Sequence, residues 1–229
     1  MKPRILPVEQ GTPEWDDARR GILTASTIGQ LITAKTVKPA NNPESRALTA
    51  ALVSERITGL TDDRYVSYDM QRGHDIEPIV RDIYSEHYAP VTQVGFILRE
   101  EDAYTIGYSP DGLVGDDGLI ETKSRRPKEH LATILADAVP SENVAQCQAA
   151  LFVSGRDWLD YLSFCGGMPL WKKRVLPDPR WQEAIARTAQ AFEETAAIMR
   201  AHYDEAVAGL PQTERTLDLY TEMTLDGHH

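Results

Sequence analysis

Cysteine is scarce in this sequence. Cys147 and Cys165 are the only two in 229 residues, too few for a disulfide framework or for a four-cysteine metal or iron–sulfur site. No apolar run approaches the ~18 residues of a membrane span, and the opening Met1-Lys2-Pro3-Arg4-Ile5 lacks the apolar stretch of a secretory signal. Internal repeats, low-complexity tracts and long linkers are also missing. Bases are the minority charge, 24 against 35 acids for a formal net charge of −11, which at first argues against a polyanionic partner. These absences exclude secreted, membrane and cluster-bearing classes. They leave the expectation of a cytoplasmic protein that folds as one domain over residues 1–229.

What is present is ordinary for a globular chain, with 41% apolar and 26% charged residues. The charge is unevenly placed. Residues 193–229 carry −6 of the total, leaving only −5 for residues 1–192. Within the body, Lys123, Arg125, Arg126, Lys128 and His130 form a basic cluster. Local charge, not net charge, decides whether a polyanion can bind.

Periodicity and punctuation predict a helix over 13–20 stopped by Gly21, and a second, capped by Thr24 or Ser26, through about residue 32. A loop follows over 35–43, then helices over 43–58 and about 69–88. The period then changes. Strands are predicted over 91–98, 103–108, 113–114 and 119–123, the last two flanking the hairpin turn Gly115-Asp116-Asp117-Gly118. Helices over 127–135 and 142–153, strands over 157–165 and 170–175, and a long helix from about 179 to 208 complete the pattern, with an acidic tail. The fold class is α/β, a central mixed, largely antiparallel sheet flanked by helices.

Chemistry concentrates in Ser109-Pro110-Asp111-Gly112 and, across the hairpin, Glu121-Thr122-Lys123. Strand alternation puts Glu121 and Lys123 on one face. Pairing Val114 with Leu119 brings Asp111 beside Glu121 and Thr122. Two carboxylates, an ammonium and the Thr122 carbonyl then converge at a sheet edge, where the oxygen ligands suit Mg²⁺, with Mn²⁺ as substitute. Lys123 is placed to orient or deprotonate a water. Either half alone reads more simply, as a common turn and a solvated strand face; joined by a hairpin they point to a site. Arg125, Arg126 and Lys128 follow the strand and suit DNA phosphates, although a solvated basic loop has the same composition. Lys172, Lys173 and Arg174 are a weaker second candidate.

Pro110-Asp111 … Glu121-x-Lys123 matches the PD-(D/E)-x-K nuclease motif. Its surroundings resemble the phage lambda exonuclease and YqaJ-type viral recombinase family. Supporting segments are Trp15-x3-Arg19-x-Gly21-x2-Thr24-Ala25-Ser26, Gly73-x3-Glu77 and Ala145-Gln146-x-Gln148, in order over about residues 10–175. The resemblance implies a restriction-endonuclease-like core, Asp111, Glu121 and Glu77 as metal-binding acids, and Lys123 as the catalytic lysine. It places Gln146 beside substrate or attacking water, and Arg19 and Ser26 on a DNA 5′-phosphate. It also implies a trimeric ring on duplex DNA ends and a single-strand annealing partner. Read from residue chemistry alone, Arg19 suits an intrahelical pair with Asp16 or Glu14, Ser26 a cap, and Glu77 a pair with Arg81. Gln146 then reads as a half-buried polar position and Trp15 as core.

The expectation is thus a metal-dependent 5′-to-3′ exonuclease on double-stranded DNA ends, releasing 5′-mononucleotides for phage-type recombination. An endonuclease for restriction or repair, or a non-cleaving DNA-binding protein on the same fold, are the alternatives. Gly115-Asp116-Asp117-Gly118 and the acidic segment after Phe192 match no motif.

Overall fold

The computed structural model describes residues 3–33, 35–61 and 68–214. The N-terminal part contains β1 (Arg4–Leu6), α1 (Pro13–Arg19), β2 (Leu23–Thr24), β3 (Ile32–Thr33), β4 (Lys38–Pro39), α2 (Pro43–Thr58) and α3 (Tyr68–His87). Next come β5 (Val91–Thr92), β6 (Phe96–Glu101), β7 (Tyr104–Tyr108), β8 (Gly112–Val114) and β9 (Gly118–Ser124). The chain continues through α4 (Pro127–Ala136), α5 (Ser141–Ser154), β10 (Trp158–Phe164), β11 (Trp171–Val175) and α6 (Pro179–Ala206). Among the described residues no helix is long and apolar enough to cross a membrane.

The strands divide into a sheet ordered β1-β6-β7-β2, a sheet ordered β11-β10-β9-β8-β5, and a β3-β4 ribbon. Most neighbours are antiparallel; β2-β7 and β9-β10 are parallel. Because parallel strands cannot be joined by a tight turn, α4 and α5 span the gap between β9 and β10. Strand β9 is buried from Gly118 to Thr122, as a central strand covered on both faces should be. Leu119, Leu159 and Tyr161 belong to the main core with residues of α5 and α6. Ile120, Leu162 and Val114 form a smaller cluster with Val80 and Tyr84 of α3.

Several local expectations change. Residues 91–98 are not one strand: β5 and β6 lie in different sheets. Gly95 separates them where the backbone of Val8 comes so close that a Cβ would overlap its carbonyl. The helix expected up to residue 32 shrinks to one 3₁₀ turn, Ile28–Leu31. Thr24 lies in β2, with its hydroxyl bonded to Ser26 and Thr27, so it is not a cap. Part of the expected 35–43 loop forms β4. Ser141 is the first residue of α5, preceded by Pro140. The hairpin pairs Val114 with Gly118, not Leu119. Gly118 begins the strand because the Trp158 ring lies where its side chain would be. The acidic stretch from residue 215, with His228 and His229, lies outside the described residues.

Candidate active site

The segment Ser109-Pro110-Asp111 carries the chain from β7 into β8 and is held by three other parts of the fold. Gln10 Nε2 donates to the carbonyls of Pro110 and Val94, each at 2.9 Å. Trp15 Nε1 of α1 donates to Ser109 Oγ at 3.0 Å. Arg81 of α3 donates to the Asp111 carbonyl at 3.2 Å. Gly112 pairs with Ile120, so the next pair outward sets Asp111 beside Glu121. Asp111 Oδ2 accepts the Thr122 amide at 2.5 Å.

Glu121 is 1% exposed and is the hub. Its Oε1 accepts from Lys123 Nζ at 2.7 Å and from Gln146 Nε2 of α5 at 2.6 Å. Its Oε2 accepts from the Tyr108 hydroxyl of β7 at 3.2 Å. Strand alternation supplies the lysine, the parallel crossover supplies Gln146, and β7 supplies Tyr108. Glu77 enters from α3, with Oε2 3.8 Å from Arg81 Nη1. Pro78 follows it inside the helix and has no N–H, so the His74 carbonyl loses its helical partner at this point.

Burial pushes Asp111 well above the usual carboxylate range, and the negative charges of Glu121 and Glu77 push it further. Glu77 is raised mainly by burial and also by Glu121, against the opposing pull of His74, Arg81 and Lys123. For Lys123, burial works to lower the value, but the Glu121 and Asp111 charges outweigh it and hold the amine above its ordinary value. Lys123 is therefore an ammonium in this arrangement. As an ammonium it donates to Glu121 Oε1.

Carboxylate oxygens with a backbone carbonyl form a hard donor set, and the upward shifts of Asp111 and Glu77 follow from burial and the like charges gathered there. The residues fit a divalent ion in chemistry. They do not form a finished cage: among the described residues no three His, Cys, Asp or Glu side chains stand ready-made around one ion position. Glu121 is engaged by hydrogen bonds from Lys123 and Gln146, and Glu77 forms an ion pair with Arg81.

These groups line a cleft of about 980 Å³ that also includes Arg19 and Ser26. Seven predicted site residues, Arg19, Ser26, Glu77, Asp111, Glu121, Lys123 and Gln146, thus share one cavity, and Thr122 lines it too. The Arg19 guanidinium lies over the Trp15 ring, 3.9 Å from its centre. Ser26 is exposed.

Apart from Lys123, the basic cluster does not join them. Arg125 is turned inward onto Glu142, Asn143 and Tyr161, because strand alternation continues past β9 and points it at α5. Arg126 and Lys128 are exposed outside the cleft. His130 is fully buried, with Nδ1 2.7 Å from Ser163 Oγ. Lys172 and Arg174 face buried Asp160, and Lys173 pairs with Asp137. Sequence reasoning missed Tyr108 and Gln10, saw Arg81 only as a partner of Glu77, and took Trp15 for core. The one available signal was Tyr108, a polar-tipped aromatic three residues before Asp111 in a strand.

An α/β fold with acids and a lysine converging where a hairpin meets a crossover helix defines a nuclease-fold protein. The chain belongs to the YqaJ-like viral recombinase family, whose domain matches residues 14–157. Among solved structures it is similar to an alkaline exonuclease, LHK-Exo, from Laribacter hongkongensis, at 29% identity and TM-score 0.77 over 87% of this chain and 100% of that one. The structure of LHK-Exo in complex with dAMP matches at 30% identity and TM-score 0.75, with the same coverage. A phage-related exonuclease from Haemophilus somnus 129PT shares the fold at 12% identity and TM-score 0.62, over 80% of this chain and 96% of that one. No curated protein matches the chain.

Proposed function

We propose that this chain is a divalent-metal-dependent exonuclease that degrades one strand of duplex DNA from its 5′ end, releases 5′-mononucleotides and leaves a 3′ single strand for phage-type recombination. The observation that carries the reading is the convergence of Asp111, Glu121, Lys123, Glu77 and Gln146 in the cleft that also holds Arg19 and Ser26. Membership of a viral recombinase family supports it, as does similarity to an exonuclease whose structure was solved with dAMP.

Asp111, Glu121, the Thr122 carbonyl and Glu77 would hold Mg²⁺, or Mn²⁺ in its place. When bound, the ion supplies a water of lowered pKa and neutralises charge at the phosphate. Lys123, held protonated, donates to oxygens on which negative charge develops and is preorganised by its bond to Glu121. Gln146, on the same carboxylate oxygen, orients substrate or the attacking water. Arg19 presents a planar donor fork to a terminal phosphate and Ser26 adds a hydroxyl. Arg126 and Lys128, exposed outside the cleft, suit sequence-independent backbone contacts. A homotrimeric ring around DNA and a single-strand annealing partner belong to the same reading.

A linear duplex labelled separately at each end tests polarity, strand choice and metal need together. Expected results are loss of the 5′-ended strand, no attack on covalently closed plasmid, and no product in EDTA. Lys123→Ala should abolish cleavage while leaving DNA binding mostly intact, and Arg19→Ala should lose the preference for a 5′-phosphate. Undiminished product in EDTA would sink the metal mechanism. Linearisation of closed plasmid would favour the endonuclease instead.

A further inference from the structure

Arg125 stands two residues beyond Lys123, and its amide donates to the Phe164 carbonyl at 2.8 Å, extending the β9-β10 pairing past the last strand residue. Alternation therefore sets it on the same face as Glu121 and Lys123. Its side chain is only 16% exposed. One terminal nitrogen donates to Glu142 Oε1 at 3.2 Å. The other donates to Asn143 Oδ1 and, at 2.9 Å, to the Tyr161 hydroxyl. That hydroxyl in turn donates to Asn143 Oδ1 at 3.1 Å, closing a three-membered network. Glu142 and Asn143 form the first turn of α5. Gln146 follows Asn143 by three residues, on the same side of the helix, and reaches Glu121 Oε1 at 2.6 Å.

We propose that Arg125 is a positioning residue: it fastens the first turn of α5 to the end of β9 and so sets the Gln146–Glu121 hydrogen bond, instead of gripping the DNA backbone. The assignment rests on the proposed nuclease reading of the site. A planar fork serves three acceptors in fixed directions from two nitrogens, whereas a lysine ammonium offers its three donors from one nitrogen in no fixed orientation. The charge is kept in Arg125→Lys, so that substitution removes the geometry alone.

The test measures kcat and KM on a 5′-phosphorylated linear duplex across a series of NaCl concentrations. The variants are Arg125→Lys, Asn143→Ala, Gln146→Ala and the double variant Arg125→Lys/Gln146→Ala. Arg125→Lys is expected to lose kcat on the order of tenfold, the worth of a charge-assisted hydrogen bond, with KM and its salt dependence unchanged. Asn143→Ala should lose kcat in the same way, and it decides the matter if Arg125→Lys melts early. The double variant should be no slower than Gln146→Ala within about twofold, since coupled residues are not additive.

A raised KM with a salt slope shallower by about one phosphate contact would make Arg125 a DNA ligand and overturn the proposal. Multiplied losses in the double variant would also overturn it. The side-chain amide resonance of Gln146, compared by NMR between wild type and Arg125→Lys, reads the link without turnover. It should shift, and an unmoved resonance refutes the link even in a protein that cuts no DNA. Failure of the nuclease reading would show separately, as a wild type that leaves the duplex intact.

Discussion

Tyr108→Phe isolates one hydrogen bond of the site. The Tyr108 hydroxyl donates to Glu121 Oε2 at 3.2 Å, and the residue is 2% exposed. Burial first, and then the Glu121 charge, holds the phenol well above its ordinary value, so it remains a donor at any working pH. Hydrogen bonds to charged acceptors contribute roughly 1.5–3 kcal/mol. This one is longer than the usual hydroxyl-to-oxygen distance, which places it near the lower figure, about 1.5 kcal/mol or about tenfold in rate. Phenylalanine fills the same volume and leaves no buried polar atom of its own unpaired, so the melting temperature should move little. The expected outcome is kcat on a 5′-phosphorylated duplex reduced about tenfold, with KM nearly unchanged because Glu121, not DNA, accepts the bond. A variant with wild-type kcat and an unchanged melting curve would refute the idea that Tyr108 helps hold Glu121 in its working geometry.

Two further predictions concern the frame of the site. Gly118→Ala places a methyl group where the Trp158 ring lies; overpacking of this kind costs about 1–3 kcal/mol, read as a lowered denaturation midpoint, and wild-type stability would contradict the packing reason for the hairpin register. Asp160 is fully buried and accepts from Tyr84 at 2.8 Å and from Arg174 at 2.8 and 3.0 Å. Burial pushes its carboxyl up, but the Arg174 and Tyr84 hydrogen bonds and the Lys172 charge outweigh that and lower it. Its contribution to stability is therefore present above the ordinary carboxylate value near ~4 and is lost as pH falls through the lower folded-state value. Wild type should lose stability more steeply than Asp160→Asn on acidification below about pH 4, and parallel curves would contradict the assignment.

The sequence makes the site legible where chemistry and period coincide. Asp111, Glu121 and Lys123 follow from a turn, a hairpin and alternation, all short-range rules. The helices at Pro43–Thr58 and Pro179–Ala206 likewise carry their own signals, with Asn42 and Asp178 as caps and proline in the first turn. What escapes is long-range. Nothing local in 91–98 reveals that Val8 passes over Gly95 and splits the run between two sheets. Composition likewise marks Arg125 as basic and surface-bound, while its partners lie 17, 18 and 36 residues away. Trp15 reads as core from its type; its role as a donor to Ser109 depends on a contact 94 residues along the chain.

Two aspartates, Asp160 fully buried and Asp111 half-buried at the cleft, separate structural from chemical placement. Asp160 and Asp111 both sit in the five-stranded sheet or at its margin, but their surroundings act in opposite directions. Around Asp160 one tyrosine and two cations supply donors and compensating charge, and its carboxyl is lowered. Around Asp111 the strongest electrostatic neighbours are Glu121 and Glu77, with Lys123 only partly offsetting them, and its carboxyl is raised. A buried acid is ordinarily tolerated when it is paired. Like charges gathered without full compensation lower stability, and such perturbed groups cluster where a cleft must hold a cation or run chemistry. The acidity of the whole chain is therefore no obstacle to a DNA substrate. On the proposed reading the acids that matter lie along the cleft a phosphate would enter, and a cation held among them would turn that repulsion into attraction.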